Sequence, residues 1–181
     1  NLVVFSYLYR VPKAERAALW KRTWLYACHT DEIREPGDFL LWKKTGSPIL
    51  IVRGKDNVIR AFYNTCRHRG APLVKTDSGK CEGLVCSYHG WTYALDGRLL
   101  NLRDKRDFVD LDTGAHSLVE VRCEQLANWV FVNEDQNAKP LREDLDRFGR
   151  RVTCVGGSYI GCEVAATLSR LGCECHIVML E

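Results

Sequence analysis

The chain has 181 residues, 26 of them Lys or Arg and 23 Asp or Glu, for a formal net charge of +3. A hydrophobic share of 46% suits a packed core and excludes wholesale disorder, and a small net charge of mixed sign makes no case for nucleic acid. No run approaches the ~18 consecutive apolar residues of a membrane span, and the length fits one domain, or one domain and a fragment.

The sequence opens at Asn1 without a charged-then-apolar leader, so it is expected to be a processed product or a fragment. Residues 12 to 24, PKAERAALWKRTW, read as a short amphipathic helix. Pro12 lies near its start, and Ala17, Leu19, Trp20 and Trp24 are its apolar positions. Short β-like runs follow, separated by turn signals. Gly37-Asp38 precedes Phe39–Trp42, Gly46-Ser47-Pro48 precedes Ile49–Val52, and Gly54–Asn57 separates that run from Val58–Tyr63. Asp96-Gly97 joins Trp91–Leu95 to Arg98–Leu100 and predicts a two-residue hairpin turn. Later runs cover Leu118–Cys123 and Asn128–Asn133. Many short strands at close spacing predict a mainly β, antiparallel domain, either a sandwich or a small barrel.

The composition then shifts. Residues 134 to 150 are polar and read as a connecting stretch with at least one helical turn. From Arg151 the pattern becomes strand (Val152–Val155), Gly-rich turn (Gly156–Gly161), helix (Cys162–Leu171) and strand (Cys175–Leu180). That is a partial βαβ, Rossmann-like unit. The expected division is a β domain over 1–145, a linker over 146–150 and the βαβ segment over 151–181.

Nine residues are cysteine, an odd number at uneven spacing. This does not read as a small secreted disulfide scaffold, and it leaves metal ligation, free buried thiols, or both. The informative cysteines are Cys66 and Cys86. Cys66-x-His68 is followed, after seventeen residues, by Cys86-x-x-His89. Each pair falls on its own loop at a strand end, so two loops can offer two thiolates and two imidazoles to one site. A mononuclear zinc site uses these ligand types. A Rieske [2Fe–2S] cluster also does, with two cysteines on one iron and two histidines on the other.

The context residues separate the two. Asn64-Thr65-Cys66-Arg67-His68-Arg69-Gly70 and Cys86-Ser87-Tyr88-His89-Gly90-Trp91 resemble the Rieske family, specifically the N-terminal domain of the large (alpha) subunit of aromatic-ring-hydroxylating oxygenases. Arg22-Thr23-Trp24, Pro36-Gly37-Asp38-Phe39 and Asn128–Asn133 extend the resemblance, which covers residues 3 to 145. It implies a Rieske-type antiparallel β sandwich with cluster-binding loops. It also implies a [2Fe–2S] cofactor on Cys66, His68, Cys86 and His89, and one-electron transfer as the function. Two neutral imidazoles replace two thiolates, so adding an electron costs less than in a four-cysteine cluster. In the Rieske proteins of cytochrome complexes a disulfide flanks the cluster. The matching positions here are Ala71 and Tyr88, and Trp91 stands where those proteins carry a hydroxyl donor. Fewer donors to the sulfurs stabilise the reduced state less, so the potential is expected at the low end of the range of about −150 to +300 mV.

Each histidine should ligate through one ring nitrogen and turn the other toward solvent or a partner, giving the electron an exit. Arg67, Arg69, Lys75 and Lys80 either steer an acidic reductase or ferredoxin or form a solvated basic face. Cys81 has no further ligand at metal spacing, and adjacent Cys28 and His29 cannot point the same way along a strand. One is expected in the core and the other at the surface. His116 and His176 stand alone.

Ring-hydroxylating oxygenases also carry a mononuclear iron on two histidines and a carboxylate. After His89 only His116 and His176 remain, sixty positions apart. The stretch is thus expected to relay electrons to an oxygenase domain elsewhere, not to hydroxylate a substrate itself, and to contain no catalytic residue. The resemblance further implies a possible homo-oligomer, commonly a trimer. A reducing cytoplasm would accommodate the unpaired cysteines.

Residues 151–181 resemble the NADH-binding domain of flavin-dependent pyridine-nucleotide oxidoreductases, with Gly156-x-Ser158-x-x-Gly161 as the turn and Tyr159-Ile-Gly-x-Glu163 after it. Gly156, Ser158, Gly161 and Glu181 are the positions that would meet NAD(H). Ser158 crowds the pyrophosphate where glycine is usual, and Met179 holds the place of the acid that meets the ribose. No FAD fingerprint occurs elsewhere. The segment is therefore expected to be a remnant more than a working nucleotide site. Two alternatives stand beside the electron relay: a fused redox protein drawing on NADH through this segment, and a zinc-loaded or metal-free interaction module.

Overall fold

The computed structural model of the chain describes residues 20–103, 108–147, 151–155, 166, 169 and 174–178. Ten strands follow a 3-10 turn at Trp20–Arg22. They are β1 (Leu25–His29), β2 (Asp38–Trp42), β3 (Ile49–Arg53), β4 (Ile59–Tyr63), β5 (Ser78–Lys80), β6 (Leu84–Val85), β7 (Thr92–Tyr93), β8 (Leu99–Asn101), β9 (Glu120–Leu126) and β10 (Trp129–Asn133). Helix α1 (Leu141–Arg147) and strands β11 (Arg151–Val155) and β12 (Glu174–Val178) complete the order.

The strands form a seven-stranded sheet in the order β1-β10-β9-β4-β3-β2-β5 and a three-stranded sheet in the order β6-β7-β8. Among the pairings, β2–β3, β2–β5, β3–β4, β4–β9, β6–β7 and β7–β8 are antiparallel. This is the mainly β, antiparallel class that the spacing of turn signals predicts. Two compact units are distinguished: residues 27–130, and residues 1–26 together with 131–181.

Within 27–130, β3 reads as an unbroken apolar run because both its faces are covered. Ile49, Leu50, Ile51 and Val52 are all fully buried. Alternation along the strand sends Leu50 and Val52 to one side, where they join Phe39 and Phe62. Leu84, Tyr93 and Leu99 of the three-stranded sheet complete the same cluster, so the core lies between the two sheets. Cys66 and Cys86 belong to it as well.

Two hairpins share one turn geometry. Gly54 N–H donates to Val58 O (2.8 Å) and Asn57 N–H to Gly54 O (2.9 Å), with Asn57 at φ 62°. Ala94 N–H donates to Arg98 O (2.9 Å) and Gly97 N–H to Ala94 O (3.0 Å), with Gly97 at φ 88°. Each is a three-residue loop closed by a left-handed residue. The two-residue turn expected at Asp96-Gly97 is thus corrected: Leu95 joins the loop because its side chain is drawn into the core. At Gly97 both φ and space require glycine, since a Cβ there would stand 2.5 Å from Cε1 of Phe62.

Within the other unit, the expected helix over 12–24 ends early. Trp24 lies outside the 3-10 turn, buried, with its indole N–H donating to Lys139 O at 2.9 Å. That anchor and the start of β1 at Leu25 keep it out of the turn. Residues 12–19 lie outside the described residues. β11 and β12 pair in parallel from Arg151↔Glu174 to Val155↔Val178. Parallel neighbours need a crossover connection, and Ala166 and Ser169 between them are helical. This is the strand–helix–strand order expected from Arg151 onward. No helix among the described residues is long and apolar enough to cross a membrane.

Gly97→Ala should destabilise the chain by about 2 kcal/mol, from the left-handed backbone and the crowding of Phe62. The midpoint of urea unfolding measures it. An unchanged midpoint would count against the turn geometry.

Candidate metal centre

β4 and β6 each run directly into one of the two short loops. In the first, Cys66 N–H donates to Ala71 O (2.8 Å) and Gly70 N–H to Cys66 O (2.9 Å). In the second, Cys86 N–H donates to Trp91 O (2.8 Å) and Gly90 N–H to Cys86 O (2.9 Å). Gly70 sits at φ 72° and Gly90 at φ 71°. The two loops therefore share one backbone frame, with glycine four residues after cysteine supplying the left-handed turn. Only the histidine differs, two residues after Cys66 and three after Cys86.

The loops bring their candidate ligands together in pairs. Cys66 (2% exposed) and Cys86 (3%) lie buried in the same core cluster. The imidazoles of His68 and His89 stand edge to face, with ring centroids 4.6 Å apart. His68 Nδ1 is buried and meets no hydrogen-bond partner. A buried polar atom left without a partner costs free energy, and a nitrogen lone pair kept free in this way suits a metal. Among the described residues, no group of three or more His, Cys, Asp or Glu converges as a single ion would need. Two thiols and two imidazoles in separate pairs fit a cluster that holds one pair on each iron.

The local electrostatics follow from burial. Burial pushes the Cys66 thiol above its ordinary value, opposed by the hydroxyl of Tyr93 beside it. Burial, then the neighbouring His89 and Arg69, hold His68 below the usual imidazole value and favour the neutral, ligating form. Tyr93 Oη lies 3.3 Å from Cys66 Sγ and accepts the Arg67 N–H at 3.0 Å. Burial raises the Tyr93 pKa, as does the contact with Cys66. The phenol therefore keeps its proton and can donate it to a thiolate.

Sequence reasoning missed Tyr93. It counted donors at Trp91, but the hydroxyl that reaches a ligand sulfur sits two residues further on, on β7. The alternation between Trp91 and Tyr93 was the available signal. Asn64 was noted only as part of the motif, and it clamps the first loop. Its Oδ1 accepts the N–H groups of Leu73 and Val74 (3.0 Å each), and its Nδ2 donates to Val74 O (2.8 Å). The two ends of the segment that carries Cys66 and His68 are thus held by one buried side chain.

Other expected positions divide plainly. Arg67, Arg69, Lys75 and Lys80 are all exposed. Cys28 is buried, while His29 Nδ1 accepts the Asp31 N–H (3.2 Å) and caps the turn at Thr30–Glu32. Cys28 is thus in the core as expected of one of the pair, while His29 is half-buried, its ring edge-on to Trp129. Cys81 is half-buried, with its thiol directed to Gly37 O at 3.8 Å. Gly156, Ser158, Gly161 and Glu181 lie outside the described residues.

A family model described as Rieske [2Fe-2S] domain matches residues 23–125, and one described as pyridine nucleotide-disulphide oxidoreductase matches residues 111–181. The chain is 35% identical over 164 residues to the carnitine monooxygenase oxygenase subunit of Acinetobacter baumannii, covering 90% of this chain and 44% of that protein. It is 37% identical over 128 residues to a benzene 1,2-dioxygenase subunit alpha of Pseudomonas putida, covering 70% of this chain and 28% of that one. The solved structure of a quaternary ammonium Rieske monooxygenase in complex with L-carnitine superposes with a TM-score of 0.69 at 38% identity, over 74% of this chain and 38% of that one. The chain thus spans less than half the length of these relatives.

Asn64→Ala should cost about 2 to 3 kcal/mol, because two N–H groups lose their acceptor near the core. Denaturant unfolding measures it, and a loss below about 0.5 kcal/mol would contradict the clamp.

Proposed function

The chain belongs to the Rieske [2Fe–2S] domain family, and from that premise we propose that it relays single electrons as part of an oxygenase alpha subunit. The observation that carries this reading is the pairing at the loops: two buried cysteines in one core cluster, and two imidazoles in contact beside a partnerless His68 Nδ1. Cys66 and Cys86 would hold one iron, and His68 and His89 the other. When bound, the cluster supplies one-electron reduction and reoxidation.

The residues around the loops serve that chemistry in distinct ways. The core cluster excludes water from the sulfur end. Tyr93 donates toward the Cys66 sulfur, and its Oη is fixed by the Arg67 N–H. The imidazole ring nitrogens not used as ligands give the electron its exit. Arg67, Arg69, Lys75 and Lys80 supply a positive field for an acidic reductase or ferredoxin, an attraction that salt would weaken. The acceptor would be a mononuclear iron in the remainder of a longer protein or in a partner subunit. Assembly into a homo-oligomer would bring such an acceptor close, as inter-subunit electron transfer is described for a quaternary ammonium Rieske monooxygenase. We place the domain over 1–145 with a linker at 146–150, in a reducing cytoplasm.

Iron and acid-labile sulfide in equal amounts, with a rhombic EPR signal on reduction, are expected of the purified chain. A colourless protein holding one zinc would overturn the reading. The potential should lie near the low end of the about −150 to +300 mV range, and a titration well above 0 mV contradicts that. Tyr93→Phe removes the hydroxyl donor and should lower the potential by about 40 mV, the equivalent of ~1 kcal/mol for one electron. An unchanged potential would remove Tyr93 from the tuning of the site.

The parallel pairing of β11 with β12 favours a second reading for residues 151–181, a nicotinamide site built on Gly156, Ser158, Gly161 and Glu181. Saturable NADH binding that disappears on deletion of residues 148–181 is its test, and absence of binding to the full chain discards it.

A further inference from the structure

The two loops share a backbone frame, yet their histidines stand in unequal surroundings. The imidazole of His68 lies flat on the indole of Trp91, with ring centroids 4.9 Å apart and planes within 8°. Phe108 meets both rings edge-on, at 5.7 Å from His68 and 5.6 Å from Trp91. Trp91 is itself 2% exposed. His89 instead carries Tyr88 over its ring at 3.8 Å, and Tyr88 is 61% exposed.

The source of this asymmetry is the residue that closes each loop. Trp91 accepts the Cys86 N–H through its carbonyl, so its backbone belongs to the second loop. Its side chain, however, walls the histidine of the first. The closing residue of the first loop is Ala71, which has no ring to return to His89. Behind the indole stands His116, edge-on at 5.9 Å, with its own Nδ1 against Asp112 O at 2.8 Å. The histidine that stands alone in the sequence thus backs the wall.

We propose that Trp91 is a positioning residue for His68: the stacked indole, backed by Phe108 and His116, fixes the imidazole plane and so the direction of its partnerless Nδ1. His68 is walled by Trp91 and Phe108, whereas the rings that His89 meets among the described residues are those of Tyr88 on its own loop and of His68 itself. The inference rests on the cluster reading above. It assigns the tryptophan of the second loop a role in ligand geometry across the site, beyond filling the core. A ring that must present one nitrogen to a metal gains from a fixed plane, because neighbours of metal ligands set ligand orientation and retention.

The test uses the full chain with its cluster, reduced, and reads the two imidazole nitrogen couplings by pulsed EPR. W91L should change the coupling of one imidazole and leave the other. It should also release iron to a chelator about 10-fold faster than wild type. W91F, which keeps a flat face, should restore both. If W91L does not fold, Phe108→Leu takes its place with the same one-sided change expected. Couplings unchanged in the leucine variant, equal changes at both histidines, or a W91F chain as impaired as W91L would each overturn the proposal. A wild-type chain lacking iron and sulfide would overturn the cluster reading itself, and this inference with it. That result shows in the wild type before any variant is made.

Discussion

Two cysteines buried in one core cluster are the constraint around which the two loops are arranged. Cys66 and Cys86 arrive from different sheets, on different loops, and are buried in one cluster with Leu84, Trp91, Tyr93 and other core side chains. Burying two thiols that would carry negative charge as cluster ligands is unfavourable unless donors or a metal offset it. The neighbourhood supplies the first part of that compensation in the Tyr93 hydroxyl. Ligation would supply the second, through metal charge that lowers the thiol pKa values.

The scaffold meets this demand by duplication. One six-residue frame is used twice, with the same two backbone hydrogen bonds and the same left-handed glycine. Each copy is then fastened differently. Asn64 clamps the first loop to the segment at Leu73 and Val74, and Thr92 Oγ1 donates to Gly90 O at 3.1 Å beside the second. The frame sets where the sulfurs go, while the fastenings and the aromatic neighbours set what each histidine meets. Sulfurs inward and cationic residues outward give the site a dry end and a wet one. That polarity suits an electron carrier, which must exclude water from the cluster while remaining within reach of partners.

Much of this is legible from local pattern. The apolar run Ile49–Val52 marks a strand covered on both faces, and Gly54–Asn57 marks the turn that follows it. Cys-x-His and Cys-x-x-His, each followed by glycine, mark the two loops, and the neighbouring Arg-Gly and Gly-Trp identify the family. What stays hidden depends on partners remote in sequence. Trp24 looks helical beside Lys21 and Arg22, but its indole is tied to the carbonyl of Lys139, 115 positions away, and it lies outside the turn. Tyr93 looks like an ordinary strand aromatic until the fold carries its hydroxyl to Cys66, 27 positions back. The turn at Asp96-Gly97 looks two residues long because nothing nearby shows that Leu95 is pulled into the core.

By itself, then, the sequence determined the β class, the two loops and the family, and it named four candidate ligands. Those features are written in residue type and short spacing, which local backbone preferences translate directly. Only the tertiary structure decided that the two loops share one frame, that the cysteines share one core cluster while the rings meet beside it, and that His68 lies against Trp91 while His89 lies under Tyr88. Such relations depend on the register between strands and on packing across the space between two sheets. No spacing within one segment encodes them.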